Sequence, residues 1–188
     1  MTVDTRAILD FWFGAGDARR PEWFRKDEAF DAQIRARFGA PVEAALAADA
    51  AGVMGDAPSA LAQVLLLDQF TRNIFRGTPR AFAGDAKALV LARTMVARGD
   101  DLALPPLRRL FVYVPFEHSE DIGMQQESLR LFAALSTVEP ACADFEDYAR
   151  RHAVIVERFG RFPHRNAILG RTSTAEEVAF LKLPGSGF

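Results

Sequence analysis

The sequence predicts an all-α protein. Apolar residues recur at three- and four-residue spacings almost throughout, while strict alternation over the length of a strand is hard to find. Proline, glycine and capping residues punctuate that pattern often enough to divide it into a compact array of about eight or nine helices with short connections. Ile8, Leu9, Phe11, Trp12 and Phe13 make a short aromatic helix that Gly14 and Gly16 stop. Asp27 to Phe38 form a second, charged and amphipathic helix, and an alanine-rich one follows Pro41. From Leu61 to Phe75 the chain is apolar nearly all round, as in a central helix buried on most faces. Thr78 and Pro79 have the form of an N-cap and first-turn pair, opening a helix through Leu89, Val90 and Met95 to Gly99. Pro105 and Pro106 start the next helix. Ser119, with Glu120 and Asp121 in the first turn, caps the one through Leu129 and Phe132, and Pro140 opens another that Gly160 closes. Ser173 with Glu176 and Thr174 with Glu177 both have capping-box spacing ahead of Val178, Phe180 and Leu181.

A chain of 188 residues with 49% hydrophobic content can bury most of its apolar surface in one core, so residues 1–184 read as a single domain and the Gly/Ser-rich residues 185–188 as a short tail, loose unless Phe188 docks. A formal net charge of −2 and a pI near 5.9 give no whole-molecule attraction to nucleic acid or to an acidic membrane surface. Cys142 is the one cysteine, which excludes an internal disulfide and a multi-cysteine zinc site and suits a reducing compartment; its helical surroundings read as core. Met1 to Asp10 lacks the pattern of a signal peptide, and the run Leu110 to Phe116 is too short to span a bilayer. The expectation is a cytoplasmic protein.

Three stretches set polar residues into apolar surroundings: Asp68-Gln69-Phe70-Thr71-Arg72-Asn73, Pro115-Phe116-Glu117-His118-Ser119-Glu120-Asp121 and Arg161-Phe162-Pro163-His164-Arg165-Asn166. Groups of this kind are costly to bury unless they satisfy one another or a ligand, so the stretches are expected to form one interior polar cluster. Asp68 and Arg72, four apart, lie on one helix face as an intrahelical pair. In a functional reading Arg72, Asn73 and Arg76 point toward a shared anion site while Asp68 holds an arginine in place. Glu117 and His118 fall in a connection ahead of Ser119, where His118 could move protons with Glu117 or Glu120 orienting its ring. The competing reading is a capping cluster, since Glu120 and Asp121 favour a helix N-terminus in any case.

His152, among Ile155, Val156 and Phe159, reads as a hydrogen-bonded core histidine, whereas His164 between Pro163 and Arg165 follows the end of a helix and is free of helical geometry. From Arg150 to Arg171 there are six arginines against one acid, Glu157. Guanidinium groups recognise carboxylate or phosphate bidentately, so Arg161, Arg165 and Asn166 are candidate ligand contacts; alternatively these arginines pair with acids of other helices. Three histidines with no His-x-x-x-His or His-x-x-Glu-His spacing give no metal motif, and Gly14-x-Gly16 lacks both the third glycine and the preceding strand of a phosphate loop. No cofactor is called for. Ser119 as a cap and Cys142 as core leave no nucleophile motif.

Leu65-Leu66-Leu67-Asp68-Gln69-Phe70, Arg72-Asn73-Ile74-Phe75-Arg76-Gly77-Thr78-Pro79-Arg80-Ala81-Phe82, Pro115 to Asp121 and Arg158-Phe159-Gly160-Arg161-Phe162-Pro163-His164-Arg165-Asn166 together resemble the bacterial domain-of-unknown-function family 924, over essentially the whole chain. The resemblance implies a helical fold similar to the tetratricopeptide-repeat superfamily and no established activity; no regular repeat of that kind is visible in the residues. Thr71 stands where the family is expected to carry proline, and its backbone N–H can continue the helix.

Two functions fit these residues. One is a binding module that holds an anionic small molecule or an acidic peptide in an Arg/His-lined pocket, with Trp12 and Trp23 as groove walls or, more plainly, core anchors. The other is a small hydrolase or lyase in which His118 or His164 is the general acid/base, Glu117 assists, and Arg72, Arg161 or Arg165 stabilises negative charge. A polar network that merely fixes the packing is a third reading. Nothing in the sequence sets the oligomeric state.

Overall fold

The computed structural model describes residues 4–14, 16–49 and 55–187. Within them the chain is helical with short connections and no strand. The α-helical segments are α1 (Thr5–Phe13), α2 (Glu28–Ala47), α3 (Ala57–Val64), α4 (Thr71–Ile74), α5 (Asp85–Arg98), α6 (Pro106–Glu117), α7 (Ile122–Val138), α8 (Ala143–Phe159) and α9 (Ala175–Phe180). A π-helical stretch, Leu65–Phe70, joins α3 to α4, so these run as one rod and the described residues form eight helices.

Aspartate sets many of the starts. Asp4, Asp27, Asp56 and Asp121 each accept the backbone N–H of the residue three further on, at 2.9–3.0 Å, which satisfies one of the orphan donors of a first turn. Thr174 and Glu177 close the reciprocal capping box of α9. Gly160 ends α8 in the left-handed region, at φ 67°, where a side chain would be strained.

The π/α rod is the centre of the molecule. Leu61, Val64, Leu65, Leu66 and Phe70 are fully buried, and the rod is flanked by α2, α5 and α6. Beside it Trp12 and Trp23 stack, and Phe111 meets both edge to face, the Trp23 and Phe111 rings 4.9 Å apart. Trp12 is therefore a core anchor, not a groove wall. Cys142 is buried, as its surroundings predict.

Several boundaries differ from the sequence reading. Pro41 lies inside α2, so the two helices expected around it are one. A proline removes one ladder hydrogen bond, but Phe38 and Val42 on either side are both buried, and that packing carries the helix through. Thr78 and Pro79 open only a 3-10 turn, Pro79–Phe82, and α5 begins at Asp85. Asp121, not Ser119, caps α7. Glu117 is the last residue of α6 and His118 its C-cap, so neither stands in a free connection. Thr71 continues the rod as expected, its hydroxyl donating to the Leu67 carbonyl at 2.7 Å. Phe188 lies outside the described residues.

Candidate functional site

The π stretch puts Asp68 on a buried side of the rod. In an α-helix each N–H bonds four residues back; the wider π turn shifts that register, and such turns recur at functional sites. Close to it, Gly84 passes so near the rod that a Cβ there would come within 2.1 Å of the Leu67 carbonyl oxygen. That approach carries Asp85 to Arg72, which it binds bidentately at 2.8 and 3.0 Å.

Asp68 is 1% exposed and serves three side-chain donors: Gln69 Nε2 at 2.5 Å, His118 Nδ1 at 2.7 Å and Arg72 Nη1 at 3.3 Å. Burial alone would raise its pKa, but Arg72 and the bonds from His118 and Gln69 outweigh that and hold it below the ordinary carboxylate range. Because Asp68 is ionised, Nδ1 of His118 carries the proton it donates and Nε2 carries the lone pair. Burial and the Arg72 charge together depress the His118 pKa, against the pull of Asp68, so the ring is neutral at pH 7. The orienting carboxylate of His118 is thus Asp68, not the expected Glu117 or Glu120. Glu120 instead accepts Arg171 at 2.7 and 2.9 Å and the Phe162 N–H at 2.7 Å.

Glu117 has the opposite fate. Burial, and next the nearby Asp68 charge, push its carboxyl up to about 8, so it is protonated at neutral pH. Its Oε1 lies 3.2 Å from Nδ1 of His152, a nitrogen that donates to the Tyr148 carbonyl at 2.9 Å. Burial lowers the pKa of His152 well below the ordinary value and that of His164 to about 4, with Arg165 the next influence on His164. His152 is buried as predicted, and it also faces the pocket.

These groups meet at a pocket of about 660 Å³. Arg72, Asn73, Arg76, Glu117, His118, His164 and Arg165 all line it, which brings together members of all three polar stretches. Asn73 and Arg76 reach it already bonded to Asp31, at 2.7 and 2.8–2.9 Å. Asp68 stands behind His118, outside the lining. Arg161 and Asn166 are elsewhere: Arg161 binds Glu177 at 2.6 and 2.8 Å, and Asn166 contacts Ser173 and Glu177. Of the arginines between 150 and 171, Arg150, Arg158, Arg161, Arg165 and Arg171 all pair with acids outside that run. Arg151 instead lies over the Tyr148 ring at the exposed edge of the pocket. Among the described residues no group of three or more His, Cys, Asp or Glu side chains is arranged to hold a metal ion.

Sequence reasoning missed Asp85 and Asp31, whose roles depend on partners far along the chain. The one local signal for Asp85 was the glycine before it. Trp23, Phe82, Phe111, Phe145 and Tyr148 form an aromatic side of the same pocket, and Gly185 and Gly187 of the tail border it.

The family described as bacterial protein of unknown function, DUF924, matches residues 8–185. The chain belongs to that family. A solved structure similar to this DUF924 protein is that of the protein of unknown function ATU0120 from Agrobacterium tumefaciens, 43% identical over 95% of this chain and 96% of that one, with a TM-score of 0.83. A search of curated proteins gave no match. The all-α fold of this DUF924 chain includes no helix long and apolar enough to cross a membrane among the described residues.

Proposed function

We propose that the pocket binds a small molecule with an anionic group and an aromatic or otherwise apolar body, the anionic group resting at Arg165. The observation that carries this reading is the incomplete pairing of that arginine. Among the described residues, Arg165 is 6% exposed, its Nε makes no hydrogen bond, and its carboxylate contact, Asp85 at 3.4 Å, is with an acid already held by Arg72. Its guanidinium lies between the Phe82 and Phe162 rings, 4.8 and 4.6 Å from their centroids. Burial and then the Arg72 charge lower its pKa to about 10. A buried cation so poorly compensated gains from an incoming carboxylate or phosphate, which a guanidinium can take bidentately.

The size of the pocket supports a small molecule over an acidic peptide, since about 300–1,000 Å³ suits one compact ligand. Trp23, Phe111 and Phe145 suit its apolar body, and the exposed Arg25, Lys26 and Arg151 at the rim would draw an anion inward. Arg161 and Asn166 fall out of the binding set on this reading, and Asn73 and Arg76 contribute less than Arg165 because Asp31 already holds them.

Calorimetric titration with phenyl phosphate, benzoate and 4-phenylbutyrate tests the proposal. At least one should bind, and Arg165→Met should weaken it by about tenfold or more while the protein remains folded. Binding by none at millimolar concentration, or binding unchanged in Arg165→Met, would remove it.

A further inference from the structure

The order Asp68, His118, pocket is the arrangement of a general base with its orienting carboxylate behind it. We propose that this pocket hydrolyses an acyl ester of the anionic molecule, with His118 as the base that activates water and Asp68 as its positioning residue. The inference rests on the pocket holding such an anion. Three observations lead to it.

The first is direction. Asp68 takes Nδ1 of His118 at 2.7 Å and is itself absent from the pocket wall, whereas His118 lines the pocket with its side chain 16% exposed. A carboxylate at Nδ1 fixes both tautomer and ring angle, leaving Nε2 with its lone pair to take a proton. A carboxylate needed only to neutralise Arg72 would have no use for an imidazole, and Asp85 already binds that arginine bidentately.

The second is the nucleophile. No serine, threonine or cysteine lines the pocket among the described residues, and Cys142 is buried elsewhere in the core. Neutral His118 therefore has no hydroxyl or thiol of that kind to activate, and water is the natural reactant.

The third is Glu117. It lines the same pocket beside His118, and burial keeps it protonated, so it can donate a hydrogen bond to an oxygen where negative charge develops.

The chemistry balances within the site. Nε2 of His118 takes a proton from water as the water oxygen bonds the acyl carbon, and the carbonyl electron pair moves onto oxygen, facing the Glu117 carboxyl. That pair then returns, the bond to the leaving oxygen breaks, and His118 gives its proton to the departing alcohol. The products are a carboxylic acid and an alcohol. Glu117 keeps its proton throughout.

The probe is 4-nitrophenyl hemisuccinate, an anionic aryl ester, with neutral 4-nitrophenyl acetate as comparison and the 4-nitroanilide of succinic acid as a slowly reacting binding analogue. Release of nitrophenolate should exceed the buffer rate and favour the anionic ester. His118→Gln should lower kcat by about a hundredfold or more, leaving the affinity for the anilide within about twofold. Asp68→Asn should also lower kcat and change the low-pH limb of the rate, as expected of a residue acting through His118. The parent rate should fall as pH rises through about 8, and Glu117→Gln should remove that fall. Should His118→Gln fail to fold, this pH profile still decides the matter. An anilide that binds without any ester turnover, or a rate untouched by either His118→Gln or Glu117→Gln, would overturn hydrolysis and leave binding standing. An anilide that does not bind would overturn both.

Discussion

Two buried glutamates divide the polar interior of this protein into a closed region and an open one. Glu177, 2% exposed, accepts Arg161 twice, the Thr174 N–H and an Asn166 amide hydrogen, and Arg161 leads in holding its pKa at about 2. Glu117, 7% exposed, has the His152 ring 3.2 Å away and no arginine bonded to it among the described residues, and its pKa rises to about 8. Both side chains are closed off from solvent, but Glu117 lies deep in the interior and Glu177 near the surface, and the donors differ as well. A charge with enough donors strengthens the packing around it, and one without them gives up its charge. Polar density in a sequence therefore marks buried polar groups but does not separate structural ones from those left available to a ligand.

The comparison can be broken most sharply at Glu117. Its folded pKa lies above the unfolded value, so the native state holds a proton that the unfolded chain releases, and stability falls by about 1.4 kcal/mol per pH unit between about pH 5 and 8. Glu117→Gln should abolish that slope, standing on the order of 4 kcal/mol above the parent at pH 9 and level with it near pH 5. Urea midpoints across pH measure this, and a parent curve parallel to that of the variant would show Glu117 to be an ordinary carboxylate.

At Glu177 the sign reverses. Its folded pKa is depressed, so the stability it contributes is present above the unfolded value near 4.5 and is lost as pH falls toward about 2. Glu177→Gln should lower stability at pH 7 by about 2 kcal/mol through unsatisfied buried donors, with the deficit shrinking in acid and ligand affinity unchanged. A variant as stable as the parent at pH 7 would dissolve the contrast.

The smallest expected effect is at Arg165. Replacing an incompletely paired buried cation with an apolar chain of similar length should leave the midpoint of Arg165→Met within about 1 kcal/mol of the parent. A loss several times larger would place Arg165 in the closed region with Glu177.

Much of the fold was legible because helix starts and stops are local: Gly14, Gly160, Pro106 and the Thr174 capping box stand where the chain turns. Pro41 misled because the contacts of Phe38 and Val42 that override it are tertiary. The π stretch left no mark on the apolar pattern, since it alters which carbonyl each N–H meets, not which residues are apolar. For the site, the unusual placement of Glu117, His118 and Asp68 in apolar segments was visible. Their pairing was not: His118 meets an acid fifty residues away rather than its neighbours. The arginine excess after Arg150 was similarly misleading, because its balancing acids, such as Glu120, Glu176 and Glu177, lie outside that run.

The π stretch also makes the rod's length a matter of angle. Each residue of an α-helix advances the chain by roughly 100° about its axis. A π turn takes one residue more than an α turn to sweep the same angle, so deleting one residue between Leu65 and Phe70 could restore an unbroken α-helical ladder with α3 and α4 in nearly their present phase. What changes is the bulge itself, where Asp68 stands against His118. The irregularity works as a local insertion: it re-aims the polar residues within it while the two halves of the rod keep the packing of a continuous helix.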